Sequence, residues 1–265
     1  MIGIRLSGKG IGDKIQFTSF PENHYRNTSE KVVDVDKSWV FNYNPYVVRD
    51  VEPDFIIDLW TLGNRYHRRS CWRRWFLPTR GVYKRRVRYR PPSYFLPSVA
   101  ERTCAFFGHK TFLRHPRLYV HEDVELRPNQ ICVHLDGQST GSVPNFVVEQ
   151  IYANYQGFDI VQIGGENDQP RLQFRSLIGL PIFESCRVIA ESLLFIGVSS
   201  SMMNAALAYP RVNKRIIVTE SDDTVLERMM PMDVREPHYH WLDHSLVLFN
   251  KTEHDVGATF SYRKI

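Results

Sequence analysis

The sequence predicts an α/β protein built on parallel sheets and divided into two domains. Three observations lead there. Short apolar runs of strand length alternate with segments of helical periodicity, as they do when strands are joined by crossover helices. The strand interiors in the second half are mainly apolar, which is the pattern of strands covered on both faces. Several runs end in glycine- or serine-rich turns, at the strand ends where such sheets present backbone amides to ligands. The 265 residues suffice for one large or two small domains, and a composition of 43% apolar and 24% charged residues excludes wholesale disorder.

Taken in order, Ile2 to Leu6 is the first strand. The glycine-rich turn from Ser7 to Asp13 follows and leads into a helix. Val32 to Val35 and Phe55 to Leu59 are two further short strands, and Ser98 to Phe107 has helical spacing with a serine placed to cap it. The second half has a more regular pattern. Ile131 to Leu135 is a strand, and Asp136 to Ser142 a polar loop. Pro144 opens a helix that carries Phe146, Val147, Ile151 and Tyr155 on one side. Strands are expected at Ile160–Ile163, Leu193–Val198 and Arg215–Val218, and helices at Ile182–Ile189 and Ser200–Tyr209. The domain boundaries drawn from this pattern are 1–122 and 123–265, the first domain small or reduced.

A net charge of +5 favours anionic partners: nucleotides, phosphorylated glycans, nucleic acid or a membrane surface. The four cysteines, Cys71, Cys104, Cys132 and Cys186, lie far apart with no C-x-x-C pair, which excludes a disulfide framework or a zinc knuckle and points to reduced thiols. The first residues contain no apolar stretch of signal-peptide type, and no run approaches the roughly 20 apolar residues that span a bilayer.

Four loops at strand carboxyl ends are candidate binding elements: Gly8–Asp13, Asp136–Ser142, Gly164–Asp168 and Ser199–Ser201. In the first, Gly12 lets the backbone approach a ligand, and Asp13 is placed as a general base; an N-cap aspartate is the plainer reading. In the second, Gln138-Ser139-Thr140-Gly141-Ser142 offers hydroxyls and amides to a diphosphate but lacks the G-K-[ST] ending of a Walker loop; a polar turn explains it equally well. Ser199, Ser200 and Ser201, followed by Asn204, give more hydroxyls than a helix cap requires. Between Arg65 and Arg90 lie about eleven cations, among them Arg68, Arg69, Arg73 and Arg74. They are interleaved with Tyr66, Trp72, Trp75, Phe76, Tyr83 and Tyr89, a mixture suited to a membrane interface, an anionic glycan or single-stranded nucleic acid, or to a solvated surface. Asp34-Val35-Asp36 and the group His238, His240, Asp243, His244 are weaker, metal-like signals.

As an ordered set these loops are similar to the heptosyltransferase-like family, the family 9-like glycosyltransferases of GT-B type. In that family a Gly-Asp turn after the first strand precedes a helix with a Thr and a Pro, as Gly12-Asp13 precedes Thr18 and Pro21 here. Val161 to Gly165 resembles its apolar strand ending in paired glycines, Leu177 to Glu184 its approach to the penultimate helix, and Leu194 to Ala206 its final strand-turn-helix. Ser199–Ser201 stands where the family has Asp-Thr-Gly, Asn204 where it has a His, and its usual lysine is absent from Gln138–Val143.

The resemblance implies two Rossmann-like domains, acceptor-side and donor-side, facing a cleft. It implies a metal-independent, inverting transfer of sugar from a nucleotide donor, with Asp13 as base. The donor would meet Gly12, Ser139, Thr140, Gly164, Gly165, Glu166, Ser199, Ser200, Ser201 and Asn204, with Arg5 or Arg175 as counter-charge. The acceptor would be an anionic glycan or a lipid-linked saccharide of the lipopolysaccharide kind, met by the basic stretch at the inner membrane surface of the cytoplasm. No cofactor, no metal and no nucleic-acid partner is expected. The alternatives are a sugar-nucleotide epimerase and a degenerate binding module.

Overall fold

The computed structural model describes residues 1–7, 10–59, 99–113, 115–137, 141–198, 200–219 and 247–249. Its chain contacts divide it into two units, Met1–Val120 and His121–Ile265.

In the first unit the apolar run at the start forms β1, Ile2–Arg5. Its neighbours approach so closely that a Cβ at Gly3 would lie 2.8 Å from Pro53 and 3.0 Å from Val35, so only glycine fits there. Helix α1 spans Ile11–Gln16, and its N-cap is the extended Gly10. Asp13 is therefore the third residue of the helix and not its cap. The one helix expected here is two, because α2, Phe20–Thr28, starts afresh with Pro21 in its first turn and ends on Ser29 in the left-handed region. Strands β2, Val32–Asp34, β3, Val47–Val48, and β4, Phe55–Asp58, complete a parallel sheet of order β3-β2-β1-β4. β3 was not expected, since two half-buried residues leave no periodicity to read. Helix α3 spans Val99–Phe106; its expected cap, Ser98, lies outside the described residues.

Buried polar side chains bind α2 and the segment before it to residues 109–119. Asn23 donates to the Leu113 carbonyl and accepts from the Phe112 and Leu113 amides, and Thr18 accepts from the Arg117 amide at 2.9 Å. His24 Nδ1 and His109 Nε2 share a hydrogen bond of 2.9 Å, and burial, with His109 beside it, lowers the His24 pKa to about 4. A neutral imidazole in the folded state and an ordinary one in the unfolded chain give a definite sign. The unfolded chain takes up the proton first, so stability falls from pH 6.5 towards about pH 4 and then levels. We expect an acid loss on the order of 2 kcal/mol from this pair. Urea unfolding against pH should show that limb in the wild type and a flatter one in His24→Phe.

The second unit contains β5, Arg127–His134; a hairpin of β6, Asp136–Gly137, and β7, Gly141–Ser142; and α4, Asn145–Asn154. There follow β8, Asp159–Gly164; β9, Arg175–Ile178; α5, Ile182–Glu191; β10, Ser192–Val198; α6, Ser201–Leu207; β11, Asn213–Thr219; and β12, Val247–Phe249. Six strands form one parallel sheet of order β12-β11-β10-β5-β8-β9. The expected loop at 136–142 is thus bounded by a short antiparallel pair. The edge strands β9 and β12 were not expected, because their runs are short and flanked by polar residues.

The core lies on both faces of the sheet. Ile131, Val133 and Leu135 pack with Val147, Val148 and Ile151 of α4, together with Leu194, Ile196 and Val198. On the other face Cys132 and Phe195 lie under α5 and α6, with buried Cys186 and Ile189. Burial on two faces is why these strands read as continuous apolar runs. Cys104, Cys132 and Cys186 are buried thiols and not disulfides, and burial pushes the Cys186 thiol up to about 12. Among the described residues no helix is long and apolar enough to cross a membrane.

Candidate functional site

The strand order in the second unit locates its binding end. From β5 the chain moves outward through β8 to β9, then crosses back to β10 on the other side of β5 and continues to β11. The order reverses between β5 and β10, and such a switch point leaves an opening at the strand carboxyl ends. Ser200 and His134 both stand there.

His134 is the last residue of β5, opposite Gly197 of β10, and its side chain is 6% exposed. Ser200 caps α6: its Oγ accepts from the Met203 amide at 3.4 Å and lies 3.0 Å from His134 Nδ1. On the other side of the ring, Asp168 Oδ2 lies 3.5 Å from His134 Nε2 and accepts the Gly165 amide at 3.0 Å. This approach requires a glycine at 164, where a Cβ would stand 2.1 Å from Asp168 Oδ2. A hydroxyl, an imidazole and a carboxylate from three separate segments therefore stand in one row across the switch point, the hydroxyl hydrogen-bonded to the ring and the carboxylate at ion-pair distance from it.

Gly164 ends β8 beside this row, Gly165 and Glu166 are exposed in the turn after it, and Ser201 and Asn204 occupy the first turn of α6. Of these, Gly164 and Gly165 approach the row through Asp168. Gly12 and Asp13 are in α1 of the first unit, at the carboxyl end of β1. Gln138, Ser139, Thr140, Ser199, the stretch from Arg65 to Arg90 with Arg68, Arg69, Arg73 and Arg74, and His238, His240, Asp243 and His244 lie outside the described residues.

Both arginines considered as counter-charges have a carboxylate partner. Arg175 pairs in register with Val161 and holds Asp159 through two hydrogen bonds, at the amino end of the sheet and away from the switch point. Arg5 bonds Asp36 at 3.2 Å. The D-x-D pair is likewise divided: Asp34 accepts from Arg49 through Nε and Nη2, while Asp36 accepts from Arg5 and the Leu6 amide. Among the described residues no group of three His, Cys, Asp or Glu is gathered for a metal.

Sequence reasoning missed His134, Asp168 and Arg171 as site residues. Arg171, 12% exposed, bonds Asn145 Oδ1 and the Val143 carbonyl and faces Asp136, which fastens the turn after β8 to the hairpin and to α4. The only local signal was position: His134 ends a recognisable strand, and Asp168 closes a loop already singled out.

A parallel sheet covered by helices on both faces, with polar groups collected at a topological switch point, defines the second unit as a doubly wound α/β fold of the kind that receives ligands at its strand ends. The particular fold is that of the family 9 glycosyltransferases. The chain is similar to the iron-containing dodecameric glycosyltransferase TibC of enterotoxigenic E. coli, at 12% identity and a TM-score of 0.55, over 92% of this chain and 67% of that one. It is similar to the same heptosyltransferase in complex with ADP-D-β-D-heptose, at 12% identity and a TM-score of 0.56, over 92% and 66%. It is also similar to a family 9 glycosyl transferase of Veillonella parvula, at 13% identity and a TM-score of 0.53, over 94% and 84%. The chain thus spans about two thirds of the TibC chains. No protein-family model and no curated protein matches the sequence.

Proposed function

We propose that the chain is a glycosyltransferase that moves a sugar from a nucleoside-diphosphate donor to a glycan or lipid-linked saccharide acceptor, with inversion and without a metal, in bacterial surface polysaccharide synthesis. The observation that carries this reading is the convergence of His134, Ser200, Ser201 and the Gly164-Gly165 turn at the switch point of the second unit. The shared fold supports it, since one of the similar proteins was solved with a nucleotide sugar. Asp13 would take the proton of the acceptor hydroxyl. The acceptor oxygen then bonds to the anomeric carbon while the bond from that carbon to the diphosphate breaks, and the electron pair leaves with the diphosphate. Hydroxyl and amide groups at the strand ends would donate hydrogen bonds to that developing charge. Ser139, Thr140, Ser199, Glu166 and Asn204 complete the proposed donor contacts. Arg68, Arg69, Arg73 and Arg74 are proposed to meet an anionic acceptor or the cytoplasmic face of the inner membrane.

The test is a transfer assay over a panel of nucleotide sugars and saccharide acceptors. Asp13→Asn should lower kcat by about 10²–10⁴-fold, the usual contribution of a general base, with little change in donor affinity. Near-full transfer by that variant removes Asp13 as the base. Turnover of the sugar nucleotide without acceptor supports an epimerase instead.

A further inference from the structure

We propose that His134 is a proton-operated switch for anion binding: when it is protonated, the Ser200 hydroxyl is released to donate to a diphosphate oxygen. This rests on the donor reading above and adds to it a pH dependence and a residue outside the expected set.

Asp168 Oδ2 lies 3.5 Å from His134 Nε2, and a carboxylate on that side of the ring favours the tautomer with its hydrogen on Nε2. In the neutral ring Nδ1 is then a bare lone pair and can only accept. The hydroxyl 3.0 Å away must spend its single O–H on it. Ser200 would then offer a phosphate oxygen only lone pairs, which repel it. When the ring gains a second proton, Nδ1 donates to Oγ. That oxygen already accepts from the Met203 amide, so both its lone pairs are filled and its own proton must point away from the ring. Ser200 is only half-buried, which leaves its proton free to turn away from the ring. The imidazolium is balanced by Asp168, which is itself held by the Gly165 amide.

The surrounding charges permit this. After β8 the neighbours are Glu166, Asp168 and Arg171, and after β5 Asp136, with Arg171 facing Asp136 as an ion pair. On the remaining side, β10 and α6 carry no charged residue from Ser192 to Ala208. Among the described residues no second cation stands in the row to supply the charge in place of His134. Linkage then requires that anion binding draws a proton onto the protein, and that raising pH weakens it.

Calorimetric titration of the full chain with ADP, UDP and inorganic pyrophosphate tests this, using buffers of different ionisation enthalpy at about pH 6 and about pH 8. His134→Gln, a neutral side chain of similar reach, corrects for the ligands' own ionisation, and thermal melting of each variant shows that it is folded. The wild type should bind more weakly at the higher pH, by up to about tenfold per unit, with net proton uptake absent from His134→Gln. Equal wild-type affinity at both pH values, with no uptake beyond that of His134→Gln, overturns the switch and leaves the donor reading standing. Absence of binding by all three ligands at both pH values overturns both.

Discussion

Replacing Gly164 by Ala should destabilise the second unit by about 2–3 kcal/mol and abolish most nucleotide binding, whereas the same change at Gly165 should be nearly silent. The two glycines are adjacent in sequence and identical in chemistry, yet their surroundings differ. A Cβ at 164 would meet Asp168 Oδ2 at 2.1 Å, its Cγ at 2.9 Å and its Cβ at 3.0 Å, while a Cβ at 165 would find nothing nearer than 3.9 Å. Gly164 has little room to retreat, since its carbonyl accepts the Gly179 amide at 3.0 Å just beyond β9. Asp168 must move instead. That frees the Gly165 amide and removes the carboxylate from His134, so the row across the switch point is broken. Urea unfolding and nucleotide titration of both variants read the effect. Equal behaviour of the two would show that the Asp168 approach contributes nothing.

Lys214 should make the protein more stable at pH 9 than at pH 7 by about 2 kcal/mol, relative to Lys214→Met. The residue lies in β11 in register with Phe195 and is 2% exposed, with Nζ donating to the Tyr209 carbonyl at 2.7 Å. Burial lowers its pKa from 10.5 to about 7. Above pH 10.5 the amine is neutral in both states and burial costs no ionisation energy. As pH falls towards 7 the unfolded chain protonates while the folded one stays neutral, so stability is lost; below about pH 7 both are charged and the loss levels. Buried Cys132 and Cys186 titrate in the opposite sense at high pH, because their thiols are held neutral in the fold. Comparing the wild type with Lys214→Met at each pH cancels that contribution. A difference in unfolding free energy that stays flat from pH 7 to pH 9 would rule out an uncharged buried amine.

The sequence by itself determined the class of fold and most of its pieces. Runs such as Ile131–Leu135, Ile160–Ile163 and Leu193–Val198 are mostly apolar, broken only by the polar His134 and Gln162, because both sheet faces are covered, and that signal is local. The glycine- and serine-bearing turns after them could be singled out for the same reason. Short edge strands such as Val47–Val48 and Arg175–Ile178 could not, since they carry too few buried residues to leave a pattern. The tertiary structure alone decided strand order and register, which depend on packing between distant segments. Order placed β10 beside β5 and so made a switch point; it brought Ser200 to His134 across 66 positions, and Asp168 to the other edge of the same ring. Register did the converse for Arg175: pairing with Val161 carried it to the amino end of the sheet and onto Asp159, where its charge is already used. A side chain's chemistry can be read from one position in the chain, but the partner that determines its role comes from another strand.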